Sequence, residues 1–161
     1  MVDLTVFSER EIGNRERLED YAVNEYIETP AGLKLQLAIA CDGAGGGEVG
    51  ERAARLTARS VIEHIEISTE RNIPRLLIDA ITDANEVVFG ELRGSGTSTI
   101  AMIAVDVNDP SATYGRMFIA SVGDSFICLM RDNQLIRLNI DHTLANEYIY
   151  AGQMSVAADN R

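Results

Sequence analysis

The chain has 161 residues, 46% of them apolar, enough for one domain with a buried core, which excludes a disordered chain. Its 14 basic and 25 acidic residues leave a net charge of −11. That charge opposes polyphosphate backbones and anionic bilayers at long range, so no nucleic acid and no membrane is expected as a partner.

In chain order, residues 4–8 and 21–27 have strand-like composition, and 33–41 is a longer apolar run expected as a buried central strand. Thr29-Pro30-Ala31-Gly32 supplies the turn between the last two. From Glu48 to about residue 67 the period becomes helical. Ala54, Ala58, Val61 and Ile65 share one face, while Glu48/Arg52, Glu51/Arg55 and Arg59/Glu63 pair at four-residue spacing outside. His64 falls on the polar side and is read as solvated. Pro74 suits the first turn of a second helix, in which Leu77, Ile81, Ala84 and Val88 repeat up to Arg93-Gly94-Ser95-Gly96. Strands are then expected at 97–107, 117–122, 126–131 and 135–140, with turns at Asn108-Asp109-Pro110-Ser111 and Asp132-Asn133, the latter closing a hairpin. A last helix begins after Asp141 or Thr143, either of which could cap it, and ends near Gly152.

Strands, two helices and strands again make an α+β layout with helices segregated onto sheet faces. No repeat, low-complexity tract or linker divides residues 1–161, so a single domain is expected. No apolar run reaches bilayer-spanning length, and the amino terminus, with Asp3, Glu9 and Glu11, lacks a secretory layout; the expected location is cytoplasmic. Cys41 and Cys128 each lie in an apolar stretch and read as two buried reduced thiols.

The chemistry-bearing residues are carboxylates beside glycines. Asp42 opens Asp42-Gly43-Ala44-Gly45-Gly46-Gly47 between a buried strand and a helix, where backbone can approach a ligand closely. A glycine turn with a helix-capping acid is one reading. A dinucleotide fingerprint is another, since Gly45, Gly47 and Gly50 fit G-x-G-x-x-G. The fingerprint needs a parallel strand after the helix, whereas a second helix follows, and Asp42 would repel a pyrophosphate. Glu19 and Asp20 stand together at a strand edge, where neighbouring side chains point to opposite faces, so at most one ligates directly. Asp124, in Ser121-Val122-Gly123-Asp124-Ser125, interrupts two apolar strands, a costly place for a charge unless it is paired or metal-bound. Glu19, Asp20, Asp42 and Asp124 thus supply most of the carboxylates of a site for hard divalent cations.

These residues resemble the PP2C (PPM) family of metal-dependent serine/threonine phosphatases, including its bacterial and SpoIIE-like branches. Gly13-x-Arg15-x-x-x-Glu19-Asp20, Asp42-Gly43-x-Gly45-Gly46, Gly96-Thr97-Ser98-Thr99, Val122-Gly123-Asp124-Ser125 and Asp141-His142-Thr143 match five family motifs in family order. The resemblance implies a four-layer αββα sandwich of two antiparallel β-sheets flanked by helices. It also implies hydrolysis of phosphoserine or phosphothreonine in protein substrates through a metal-activated water. In this reading Asp42 bridges two Mn²⁺ or Mg²⁺ ions, with Glu19 on one and the Gly43 carbonyl on the other. Asp20 hydrogen-bonds a water, Arg15 holds the substrate phosphate, and Asp124 helps bind a third ion. A structural role near the last helix is implied for His142, with capping as the simpler account.

The pattern departs from the family in two places. Ala44 and Gly47 stand where some members carry histidines, one of them proposed as general acid. The family domain also continues past this length and supplies two more aspartates, in an Asp-Gly and an Asp-Asn motif. Asp159-Asn160 is read as a chance likeness to the second, so the carboxyl-terminal part of the domain is expected to be missing. The competing expectation is therefore a catalytically inactive binding module, or a fragment that self-associates through exposed strand edges.

Overall fold

The computed structural model describes residues 4–14, 16–108 and 116–152. Its centre is an antiparallel sheet of order β1-β2-β5-β6, built from β1 (Tyr21–Glu28), β2 (Lys34–Cys41), β5 (Ile100–Asp106) and β6 (Arg116–Val122). Strand alternation sets its two faces. Leu35, Leu37, Ile39 and Cys41 of β2 point one way and are buried, and the register places Ile39 against Met102 and Leu37 against Ala104 on the same face. Each leucine so buried contributes about 1.5–3 kcal/mol of transfer free energy.

Helices α1 (Glu48–Ile67) and α2 (Ile73–Leu92) cover that face. Ala54, Ala58, Val61 and Ile65 of α1 pack there as the spacing predicts; of the expected α2 face Leu77 and Ala84 join them, with Leu76 and Ala80 beside them, while Ile81 is partly buried and Val88 packs with Ala53 and Leu92. Asn72 caps α2 by accepting from the Arg75 amide at 3.0 Å, and Arg93 ends it in the left-handed region. His64 is more than solvated: its Nδ1 lies 2.6 Å from Asp83 Oδ2, joining α1 to α2.

The opposite face, where it is grooved, is mostly alanine. Ala22, Ala38, Ala101 and Ile103, with Phe7 and Phe126, line a groove of about 360 Å³. Beyond Phe126 come β7 (Cys128–Arg131) and β8 (Gln134–Arg137), a two-stranded sheet closed by Asp132 and Asn133, whose φ values of 51° and 60° suit a two-residue hairpin turn. Helix α3 (Leu144–Tyr150) follows, capped by Thr143, whose hydroxyl accepts from the Asn146 amide. The fold is α+β with antiparallel sheets and helices, as expected. Among the described residues two small two-stranded sheets, this hairpin and a short pair beside α1, stand beyond the central one, and no helix is long and apolar enough to cross a membrane.

Several expectations are corrected. Residues 4–8 form no strand; Ser8 Oγ instead accepts from the Asn24 side chain of edge strand β1 at 3.2 Å. The expected strand 97–107 is broken at Thr99 into β4 (Thr97–Ser98), which pairs with the short β3 (Gly43–Ala44), and β5. The hairpin strands are shorter than composition suggested: the Leu138 amide still donates to the Ile127 carbonyl, but the Ile127 amide donates to the Asn139 side chain in place of a backbone carbonyl, and the ladder ends there. Cys41 is buried but Cys128 is exposed, and both are free. The Asp109-Pro110-Ser111 part of the expected turn and Asp159-Asn160 lie outside the described residues.

Candidate functional site

Antiparallel pairing gathers distant segments at one end of the central sheet. Tyr21 at the start of β1 pairs with Cys41 at the end of β2, and Ile100 at the start of β5 pairs with Val122 at the end of β6. Glu19 and Asp20 just before β1, Asp42 just after β2, Thr99 just before β5 and Asp124 just after β6 therefore emerge together. Asp20, Asp42 and Asp124 are exposed, and Glu19 is half-buried.

Close backbone approach holds the Glu19 side of this cluster. Helix α1 has no capping side chain of its own; Glu19 Oε1 accepts from the Gly47 amide at 3.0 Å, a carboxylate at the positive end of the helix dipole. Gly50 makes room for it. A β-carbon there would fall on Glu19 Oε2 and 3.1 Å from the Gly43 carbonyl oxygen. A β-carbon on Gly43 would in turn strike the Gly50 backbone and come within 2.8 Å of the Glu19 carbonyl. The Glu19 carboxylate therefore takes the room that a side chain at position 50 would fill, beside the Gly43 carbonyl oxygen.

The Asp42 and Asp124 segments are joined by hydrogen bonds. The Thr99 amide donates to the Asp42 carbonyl at 2.9 Å, and the Asp42 amide donates to Thr99 Oγ1 at 3.0 Å. Thr99 Oγ1 also lies 2.6 Å from Ser125 Oγ. Asn139 secures the far side: its Nδ2 donates to the Ser125 carbonyl at 2.8 Å and to Ser121 Oγ at 3.1 Å, while its Oδ1 accepts from the Ile127 amide at 2.8 Å. His142 donates its amide to the Gly123 carbonyl at 3.0 Å and presents Nδ1 to the Gly123 amide at 3.4 Å. Capping of α3 belongs to Thr143, so His142 serves the Asp124 loop instead.

The predicted residues Glu19, Asp20, Asp42, Gly43 and Asp124 all lie at this sheet end, while Arg15 lies outside the described residues. Among the described residues no three His, Cys, Asp or Glu side chains gather as a ready metal cluster. The donors on offer are carboxylate and carbonyl oxygens, and one of each, Glu19 Oε2 and the Gly43 carbonyl, lies over Gly50, a set that suits Mg²⁺ or Mn²⁺ better than Zn²⁺. Cys41 beside Asp42 adds no nucleophile, for burial pushes its thiol up to about 12, against a smaller opposing pull from the Ser98 hydrogen bond. Sequence reasoning matched Thr99 to a motif without giving it a role, and it overlooked Gly50 as a spacer. Asn139 carried no signal at all, lying in an expected strand.

The model of the family Protein phosphatase 2C matches residues 9–148. The chain is 31% identical over 129 residues to the serine/threonine phosphatase stp of Listeria welshimeri, covering 74% of this chain and 48% of that protein. It spans about half the length of the curated relatives it matches. It superposes on the PPM Ser-Thr phosphatase MsPP of Mycobacterium smegmatis, solved with cacodylate, with a TM-score of 0.61 and 25% identity, over 88% of this chain and 54% of that one. The catalytic domain of the phosphatase PstP, solved with two manganese ions, shares the fold at a TM-score of 0.63 and 19% identity, over 92% of this chain and 60% of that one. Matched by the family model over residues 9–148, most of its length, this chain belongs to the protein phosphatase 2C family.

Proposed function

We propose that this chain carries active-site residues of a serine/threonine protein phosphatase, acting on phosphorylated proteins with two Mn²⁺ or Mg²⁺ ions and room for a third. The observation that supports it is the meeting of the Glu19, Asp42 and Asp124 segments at one end of the sheet. Asp42, Glu19 and the Gly43 carbonyl would hold the ions, and Asp124 would serve the third. Bound there, divalent ions supply positive charge that polarises the phosphoryl group and acidifies water.

The chain's own residues do the rest. Arg15, whose guanidinium matches phosphate oxygens in a planar fork, positions the substrate, and Asp20 orients the attacking water by accepting its hydrogen bond. Ala44 offers no proton to the departing oxygen, so activated aryl phosphates react more readily than alkyl ones. A cytoplasmic setting agrees with phosphoprotein substrates and with the two free thiols.

The test is Mn²⁺-dependent hydrolysis of an aryl phosphate by the full-length gene product. Asp42→Asn is expected to lower kcat/KM by more than about 100-fold, beyond the loss typical for a residue that merely supports a metal ligand. Equal rates for the two proteins would end the proposal.

A further inference from the structure

The Gly96-Thr97-Ser98-Thr99 segment contains no carboxylate, yet the strand breaks at Thr99 to put that residue between two acidic loops. Resting on the function proposed above, we infer that Thr99 is a positioning residue whose hydroxyl locks the Asp42 loop to the Asp124 loop.

Three observations carry this. The first is a two-way bond to Asp42. Donating its amide to the Asp42 carbonyl and accepting the Asp42 amide at Oγ1, Thr99 fixes the peptide groups on both sides of the Asp42 α-carbon, and so the direction in which the carboxylate leaves the sheet. The second is the contact at 2.6 Å between Thr99 Oγ1 and Ser125 Oγ, next in sequence to Asp124. Either hydroxyl can supply that proton, and the link holds in both cases. The third is packing: Gly123, at φ 98°, has no side chain, and a β-carbon there would lie 2.6 Å from Thr99 Cγ2 and 2.8 Å from Thr99 Cβ. Glycine at 123 thus admits the threonine side chain between the loops. Asn139 and His142 brace the Asp124 loop from the other side, so Thr99 is where two separately supported segments meet.

A hydroxyl in this position acts on metal affinity through geometry, as groups behind metal ligands do. Thr99→Val keeps the shape and removes the oxygen; Thr99→Ser keeps the oxygen and trims the methyl. The experiment combines calorimetric Mn²⁺ titration of the full-length gene product with amide hydrogen exchange at Asp42 in metal-free protein. Thr99→Val is expected to weaken Mn²⁺ binding by roughly tenfold and to be offset in turnover by excess Mn²⁺, with Thr99→Ser close to wild type. The Asp42 amide should exchange roughly fivefold faster in Thr99→Val, the loss expected for one hydrogen bond. Adding Ser125→Ala to Thr99→Val should cost less than the two single changes summed, because both break one link.

Unchanged Asp42 exchange in Thr99→Val, or equal damage from Thr99→Ser, overturns the inference. Asp42→Asn serves as the control. If it leaves Mn²⁺ binding intact, the metal proposal fails on its own, and Asp42 exchange in the two Thr99 variants still decides whether the hydroxyl holds the loops.

Discussion

The central sheet and the β7–β8 hairpin are both antiparallel, yet they present their apolar residues in opposite ways. Along β2, Leu35 and Leu37 are 0% exposed under α1 and α2, whereas Met130 and Leu135 of the hairpin are 65% and 66% exposed. The candidate site lies between them. Its Asp42 side extends from a strand whose helix-facing side chains are buried, and its Asp124 side leads into a hairpin held to the site by Asn139, His142 and Thr99 through hydrogen bonds. Burial of leucine contributes a few kcal/mol per side chain, while a net hydrogen bond contributes about one. The Asp42 side is therefore the stiffer half, and the Asp124 side depends on a few polar contacts.

The sharpest way to break that contrast is to make one change in both regions. Leu37→Ala leaves a cavity in the buried ladder and is expected to cost about 2–5 kcal/mol, against less than about 0.5 kcal/mol for Leu135→Ala on the exposed hairpin. Urea unfolding of this chain reads both, and comparable losses would erase the distinction.

Asn139→Ala comes next. It frees the Ile127 amide and the Ser125 carbonyl together, so about 1–3 kcal/mol of local stability should go. Amide exchange should quicken over residues 121–139 and stay unchanged in β2; acceleration spread evenly over both sheets would contradict the two-part picture.

The smallest effect comes from the thiols, one in each region. Native alkylation should modify exposed Cys128 and spare buried Cys41. Unfolded, the Cys41 thiol ionises above its ordinary 9.0; folded, it keeps its proton to about 12. Its contribution is thus fully present below pH 9 and is lost as pH rises toward 12, with a decline on the order of 1 kcal/mol by pH 10. Unfolding at pH 8 and pH 10 measures it, and Cys41→Ala should remove that part of the pH dependence.

Much of the fold and of the candidate site could be read from local pattern. The 3.6-residue spacing of Ala54, Ala58, Val61 and Ile65 marked α1, Pro74 the start of α2, and Asp132-Asn133 the hairpin turn, because each is an interaction between near neighbours. The carboxylates were visible for the same reason, as charged residues at the ends of apolar runs. Which of them meet is set by strand order and register, and those depend on pairing between residues far apart in the chain. Only the tertiary structure decided that Thr99 would leave its strand to bind Asp42, and that Asn139, expected in a ladder, would brace the Asp124 loop. It alone decided that Gly50 must lack a side chain so that Glu19 can reach the end of α1. Periodicity records which face a residue turns to the core, but a hydroxyl's partner or the clearance over a glycine exists only once separate elements have packed.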